Sequence, residues 1–372
     1  MLGIGGFSKV YLTRLKKTDE LFAIKSIRIN SVDCSDKTHY KLQIQEERDI
    51  LIKIKHPYIV KLKAAFQSSK RFFLVMNFIQ GGELLQYIKR TTNRIREEAC
   101  KFYAAEIALA IYYLHKQGII YGDLKPENIL IDKYGHAKLT DFGASKLMNS
   151  QTSAIGFAGT PDYLAPEVLK HKKVTKASDW WTFGILLYEM LFGISPFHNE
   201  DMKAMFKSIL TENPKFPYTA LNSFSRDCVD LIRKLLKKNP KNRLGSENSA
   251  HIFEDPWFST INFADLEANK LMAPIIPNIE NEASVENFDY KITKESLKLS
   301  FELPDDLHFY NKTKKIDSAE LLDFDYIDES FAGETPMFDH KTRSNSSSSI
   351  EKKFPNQKSK NSLLSSFNGQ NP

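Results

Sequence analysis

Asp123 and Asn128 stand five positions apart in Tyr121-Gly122-Asp123-Leu124-Lys125-Pro126-Glu127-Asn128, and Asp141 follows eighteen residues after Asp123. A carboxylate that can orient a hydroxyl, with two oxygen donors suited to Mg²⁺, is what phosphoryl transfer requires. Upstream, Gly3-Ile4-Gly5-Gly6-Phe7-Ser8-Lys9-Val10 places three glycines in four residues. Such a backbone can lie close over phosphate oxygens and donate N–H groups to them. Ala23-Ile24-Lys25 follows, offering one ammonium beneath that loop, and Glu46 and Glu47 come next as carboxylates able to hold it. Singly, each piece is equally a turn or a solvated charge; the ordered set points to chemistry.

These groups need elements to position them. LGIGGFSKVYL and LFAIKSIRI are short β-type runs separated by the polar residues 16–20, which predicts a hairpin. Residues 41–54 carry apolar positions at helical spacing and end at His56-Pro57. IVKLKAAFQ and FFLVMNF read as further strands, and Gly81-Gly82 closes this region. Residues 97–115 and 180–197 predict long helices. The second holds only Glu189 as a charge, yet Gly184, Gly193 and Pro196 mark it as a buried core helix rather than a membrane span. The expected class is α+β, with a β-rich lobe over residues 1–80, a helical lobe over 81–258 and a ligand cleft between them. Over 259–340 the periodicity fades into isolated aromatics, as in an arm laid along a preformed body. Residues 341–372, rich in Ser, Asn and Lys, are expected to be disordered.

Composition excludes several classes. The 372 residues carry a net charge of +6, of which six basic and one acidic side chain in residues 341–372 supply +5. The remainder is near neutral, so no nucleic-acid partner is expected. Cys34, Cys100 and Cys228 are dispersed without zinc or disulfide spacing, and no secretory signal opens the chain. A cytoplasmic protein with possible access to the nucleus, and no transmembrane segment, is expected.

The order of the Gly-rich loop, AIK, Glu, DLKPEN, Asp141-Phe142-Gly143 and Ala165-Pro166-Glu167 resembles the eukaryotic protein kinase catalytic domain over residues 1–258. The resemblance implies ATP and Mg²⁺ as cofactors and protein substrates as partners. It implies that Lys25 holds the α and β phosphates and pairs with Glu47, leaving Glu46 solvent-facing. Asp123 would orient the acceptor hydroxyl, Lys125 would steady the γ-phosphate, and Asn128 and Asp141 would bind metal. The nucleotide would be enclosed by Leu2, Gly3, Gly5, Gly6, Val10 and Ala23, with Met76 at the back of the adenine pocket and Asn77 to Ile79 as the hinge. Met76 reads equally well as core filler. Leu51, Leu62, Tyr121 and Phe142 resemble the apolar column that joins the lobes. Glu167 with Arg243, and Asp179, would be structural. Lys125 and Thr160 match the Ser/Thr-specific enzymes. Ser8 replaces the loop's third glycine, which requires a negative φ there. Only Met1 and Leu2 precede Gly3, where the family's first strand begins earlier, so a shortened small lobe is expected.

Residues 261–279, Asn287-Phe288-Asp289-Tyr290 and Leu321-Leu322-Asp323-Phe324-Asp325-Tyr326 resemble the C-terminal tail of the AGC group. The resemblance implies a Phe near the nucleotide and a hydrophobic motif, built on Phe324, docked on the small lobe. Asp325 stands where many members are phosphorylated, supplying a fixed negative charge; an ordinary acidic loop is the alternative. Gly122 replaces the usual Arg before the catalytic Asp, and Gly156 falls at the phosphothreonine position. Both changes together imply an enzyme not switched on by that phosphate. Thr152 and Ser153 lie too early for the usual geometry. Glu83, Glu127, Asp162 and Glu189 match positions facing the peptide in basophilic members and imply Arg or Lys before the acceptor. The basic end could touch acidic membranes weakly, take up phosphate from the chain itself, or merely solubilise it. A pseudokinase or kinase-like scaffold is the competing function, against which Lys25, Glu47, Asp123, Asn128 and Asp141 all stand.

Overall fold

The structure, a computed structural model, describes residues 1–16, 18–28, 37–68, 71–91, 94–148, 160–217, 223–299 and 324–328. Thr152, Ser153, Gly156, Leu321 and the basic 341–372 end, for which expectations were set out above, lie outside the described residues.

The Gly-rich turn joins β1 (Gly3–Ile4) to β2 (Ser8–Arg14), which hairpins onto β3 (Leu21–Arg28). Phe22 to Ile27 of β3 are buried at every position, because this strand runs inside a sheet covered on both faces. Helix α1 (Lys37–Lys53) starts four residues before the predicted position and is followed by β4 (Leu62–Gln67) and β5 (Arg71–Asn77). Next come α2 (Leu84–Arg90), α3 (Glu97–Lys116), β6 (Ile119–Ile120), β7 (Ile129–Ile131), β8 (Ala137–Leu139) and β9 (Lys146–Leu147). Beyond them lie α4 (Pro166–Leu169), α5 (Lys176–Phe192), α6 (Met202–Thr211), α7 (Arg226–Leu235), α8 (Phe263–Glu267), α9 (Tyr290–Leu299) and β10 (Tyr326–Ile327).

The large sheet runs β1-β2-β3-β5-β4-β10 and is antiparallel throughout. Its last strand comes from the far end of the chain, so the sheet expected from residues 1–80 is completed by residues 326–327. Phe324 anchors that strand: it is fully buried, 4.6 Å from the Phe72 ring and under the Arg48 guanidinium at 4.9 Å. Lys61 closes the edge with a 3.0 Å bond to the buried Asp328.

Helix α5 is shorter than its apolar run. Thr175 and Ser178 form a reciprocal capping box at its start, and Gly193 at φ 76° ends it five residues before Phe197. Trp180, Trp181 and Phe183 on this helix are fully buried and centre the helical core. No described helix is long and apolar enough to cross a membrane. The arm after Phe258 carries two helices where isolated aromatics alone were anticipated. It is fastened to the body at Gly82, whose φ is +75° and whose missing Cβ would lie 2.0 Å from the Asn287 carbonyl oxygen. Arg90 adds bonds to Asn287 Oδ1 at 2.9 Å and to the Glu286 carbonyl at 2.8 Å.

Candidate active site

Strand register sets the nucleotide side of the cleft. Val10 lies opposite Lys25, and Ala23 opposite Met76, so the Gly-rich turn, the lysine and the hinge strand are rungs of one ladder. Gly5 N–H donates to the Ser8 carbonyl at 2.8 Å, while a Cβ on Gly6 would meet nothing within 4 Å. Ser8 is not among the residues with positive φ, which meets the condition on this substitution. Leu2 and Ala23 are buried in one cluster with Phe288 of the arm, and Val10 and Phe78 pack against it. Phe288 stacks on Phe78 of the hinge at 5.9 Å, which is where an arm residue near the nucleotide was expected. Met76 is buried in the large core between β3 and β4, consistent with either reading of it. Asn77 is exposed and Ile79 half-buried.

Lys25 is the centre of charge. Its Nζ lies 2.6 Å from Glu47 Oε1 and 2.8 Å from Asp141 Oδ1. Burial alone lowers the pKa of this ammonium, but the facing Asp141 and Glu47 carboxylates outweigh it and leave the pKa raised, so Lys25 is charged. Lys25 in turn holds the Asp141 carboxyl below its ordinary value. Asp141 adopts φ 55°, and the next residue, Phe142, turns inward against Tyr121 at 5.3 Å. Leu51 and Leu62, both buried, belong to the same core as these rings.

The Asp123 carboxylate is held from two sides. Lys125 Nζ reaches Asp123 Oδ2 at 2.8 Å, and Asn128 Nδ2 donates to Asp123 Oδ2 and to the Asp123 carbonyl, each at 2.8 Å. The loop hangs on buried Asp179, which accepts from Tyr121 N at 3.0 Å and Gly122 N at 2.9 Å and also meets His115 Nε2 at 2.7 Å. With Nδ2 committed, Asn128 has its side-chain oxygen left as an acceptor, and the Asp141 side chain is 47% exposed. An amide oxygen and a carboxylate suit a hard cation. Among the described residues no group of three or more His, Cys, Asp or Glu is spaced to hold a metal alone.

The expected substrate carboxylates share one region. Glu83, just before α2, is pushed up to about 7 by burial, with the charges of Glu127 and Asp289 adding to it. Glu189 is likewise raised by burial, with Glu127 and Asp162 adding, although it accepts a hydrogen bond from the Tyr163 hydroxyl. Asp162 faces His198 Nδ1 at 3.3 Å, and Glu127 is exposed. Thr160 lines a small cleft together with Asp123 and Tyr163. The Asp289 carboxylate was missed: it follows Phe288, and only the docking of the arm brings it to Glu83.

Glu46 is a correction. It is half-buried, not solvent-facing, and its Oε1 accepts the Leu147 N–H at 3.1 Å, because α1 lies against β9. Gln43 on the same helix donates through Nε2 to the Gly143 carbonyl at 2.7 Å. Positions 43, 46 and 47 share a helix face, a signal present in the spacing. Gly122 has φ +84° and a missing Cβ that would lie 2.8 Å from the Ala144 carbonyl oxygen, so backbone geometry as well as the absent cation explains glycine there.

Arg243 binds Glu167 bidentately at 2.7 and 2.9 Å, as its structural role requires. Residues 1–258 match the protein kinase domain family. Serine/threonine-protein kinase Sgk2 of Rattus norvegicus is 39% identical over 81% of this chain and 80% of its own length. Serine/threonine-protein kinase YPK1 of Saccharomyces cerevisiae is 40% identical over 79% of this chain, and protein kinase C delta type of Homo sapiens 36% over 91%. The chain spans 42% and 47% of the lengths of the last two. With its folded cleft and these relatives, the chain belongs to the protein kinase family, among the serine/threonine kinases of the AGC group.

Proposed function

We propose that this chain transfers the γ-phosphoryl group of Mg-ATP to Ser or Thr of protein substrates that carry basic residues before the acceptor. The observation that carries the reading is the Lys25 ammonium lying between Glu47 at 2.6 Å and Asp141 at 2.8 Å, within reach of the Gly-rich turn. Bound Mg-ATP supplies the phosphoryl group and the cation that neutralises its charge. Lys25 holds phosphate oxygens, and Asn128 and Asp141 hold metal. Asp123 accepts a hydrogen bond from the substrate hydroxyl and orients it, while Lys125, already 2.8 Å from Asp123, stabilises charge that develops on the transferred group. No covalent enzyme intermediate is needed; positioning and electrostatics do the work.

The carboxylates of Glu83, Glu127, Asp162, Glu189 and Asp289 favour guanidinium groups on the peptide, since each can accept charge-assisted bonds. The buried free thiols Cys100 and Cys228 accord with action in a reducing compartment such as the cytoplasm. The test is transfer to an arrayed Ser/Thr peptide library: selection of Arg or Lys before the acceptor supports the reading. Acidic or proline-directed selection contradicts the substrate assignment, and ATP binding without transfer leaves a kinase-like scaffold.

A further inference from the structure

We propose that Gln43 and Glu46 are positioning residues that clip α1 to the chain after Asp141, holding Glu47 against Lys25 without a phosphate on the activation segment. The inference rests on the kinase reading above and names how its site is kept assembled. Gln43 and Glu46 lie three residues apart, both N-terminal to Glu47 and on the same face of α1. Both reach backbone: Gln43 Nε2 to the Gly143 carbonyl at 2.7 Å, and Glu46 Oε1 to the Leu147 N–H at 3.1 Å. Two anchors four residues apart on the receiving chain, one in the turn at Gly143 and one on β9, fix the helix in rotation as well as in distance.

The receiving strand passes this constraint onward. Ile119 of β6 pairs with Leu147 of β9, and Ile120 with Lys146, and β6 leads directly into Tyr121 and the loop that carries Asp123. Met148 N–H adds a bond to the Gly118 carbonyl at 2.9 Å. Helix α1, β9, β6 and the catalytic loop are therefore joined in sequence by hydrogen bonds. Lys146 is half-buried, which lowers its pKa, and the Glu46 carboxylate opposes that shift. On the other side, Gly122 holds φ +84° with the Ala144 carbonyl 2.8 Å from where its Cβ would be. The residue before Asp123 is a glycine and offers no side chain that could receive a phosphate, and Glu46 on α1 takes the bridging part.

The test uses the full chain after exhaustive phosphatase treatment, with Mg-ATP and an Arg-containing Ser peptide. Wild type, Glu46→Ala, Glu46→Gln and the Gln43→Ala/Glu46→Ala pair are compared by steady-state kinetics and by hydrogen exchange of residues 143–148. The expected result is that phosphatase changes wild-type kcat less than about twofold. Glu46→Ala lowers kcat about tenfold and the pair lowers it further, in keeping with the sensitivity of transfer to small misplacements. Exchange at Leu147 rises in Glu46→Ala at unchanged thermal stability, and Glu46→Gln, whose amide oxygen still accepts that N–H, restores protection and most of the rate. Loss of wild-type activity on phosphatase treatment, or unchanged exchange and rate in Glu46→Ala, overturns the proposal. The same exchange pattern in a wild-type chain that transfers no phosphate keeps the clip and overturns the kinase reading instead.

Discussion

Two buried ion pairs divide this molecule, and they are finished to different degrees. In the helical part, Arg243 and Glu167 satisfy each other internally: the bidentate bond is supplemented by Arg243 Nη1 to the Ala177 carbonyl, Nε to the Lys237 carbonyl and Ser178 Oγ to Glu167. Their side chains are 0% and 5% exposed, and their polar groups are committed to each other and to neighbouring protein atoms. In the cleft, Lys25 also has two carboxylate partners, but Asp141 remains 47% exposed at a left-handed φ. A pair closed on itself braces a scaffold. A triad with one open carboxylate has binding capacity to spare, which a phosphate-bound cation can use. The contrast predicts that two similar motifs, APE with its distant Arg and AIK with its distant Glu, have different consequences when disturbed.

The largest expected effect separates chemistry from scaffold. Asp123→Asn should lower kcat by about a hundred- to ten-thousandfold while leaving the melting temperature and ATP affinity near wild type, because the amide keeps the shape but loses the carboxylate acceptor. Calorimetric melting and nucleotide titration on the same sample would reveal whether the loss is chemical. Glu167→Ala should do the opposite. An unpaired buried Arg243 costs about 3–5 kcal/mol of stability, read as a lower denaturation midpoint, and any surviving folded fraction should keep its kinetics.

A smaller effect tests the junction between these regions. Gly122→Ala puts a Cβ at φ +84° and against the Ala144 carbonyl, and strain of about 1–2 kcal/mol should appear as reduced stability together with reduced kcat. Equal stability for the two chains would show that the loop relaxes freely. The smallest effect concerns the substrate. Glu83 titrates at about 7, so its charged form fills as pH rises through 7 and empties below it. The KM for an Arg-containing peptide should therefore rise as pH falls from 8 to 6, and Glu83→Gln should raise KM about fivefold at pH 8 and flatten that dependence. A slope that persists in the variant would assign the titration to another group.

Much of the site was legible because its residues are local in sequence or bound to rigid elements. The DLKPEN loop, Asp141 and Lys25 carry their chemistry in residue type and order, and Glu47 was chosen through the resemblance, which lines it up with the family's helix counted back from His56-Pro57. What sequence could not supply was contact across chain separations with no pattern to announce them. Glu46 looked solvent-facing because, although its spacing put it on the Gln43 and Glu47 face, that face does not name the strand a hundred residues away that it meets. Asp289 joins Glu83 only through the docking of the arm at Gly82, a backbone-to-backbone fit that no side-chain pattern encodes. Strand β10 was foreshadowed by its aromatics, but its addition to the β4 edge depends on Lys61, Phe72 and Asp328 together. The early end of α5 was readable in Gly193; the apolar run beyond it packs as loop because Phe197 stacks on Trp181 at 5.6 Å.

The central claim is tested most directly by radiolabelled phosphate transfer from Mg-ATP to an Arg-rich Ser peptide, using the phosphatase-treated full chain beside its Asp123→Asn variant. The open triad and the held Asp123 predict transfer by the first and almost none by the second. Equal transfer by both, or none by either while ATP still binds, would contradict the account.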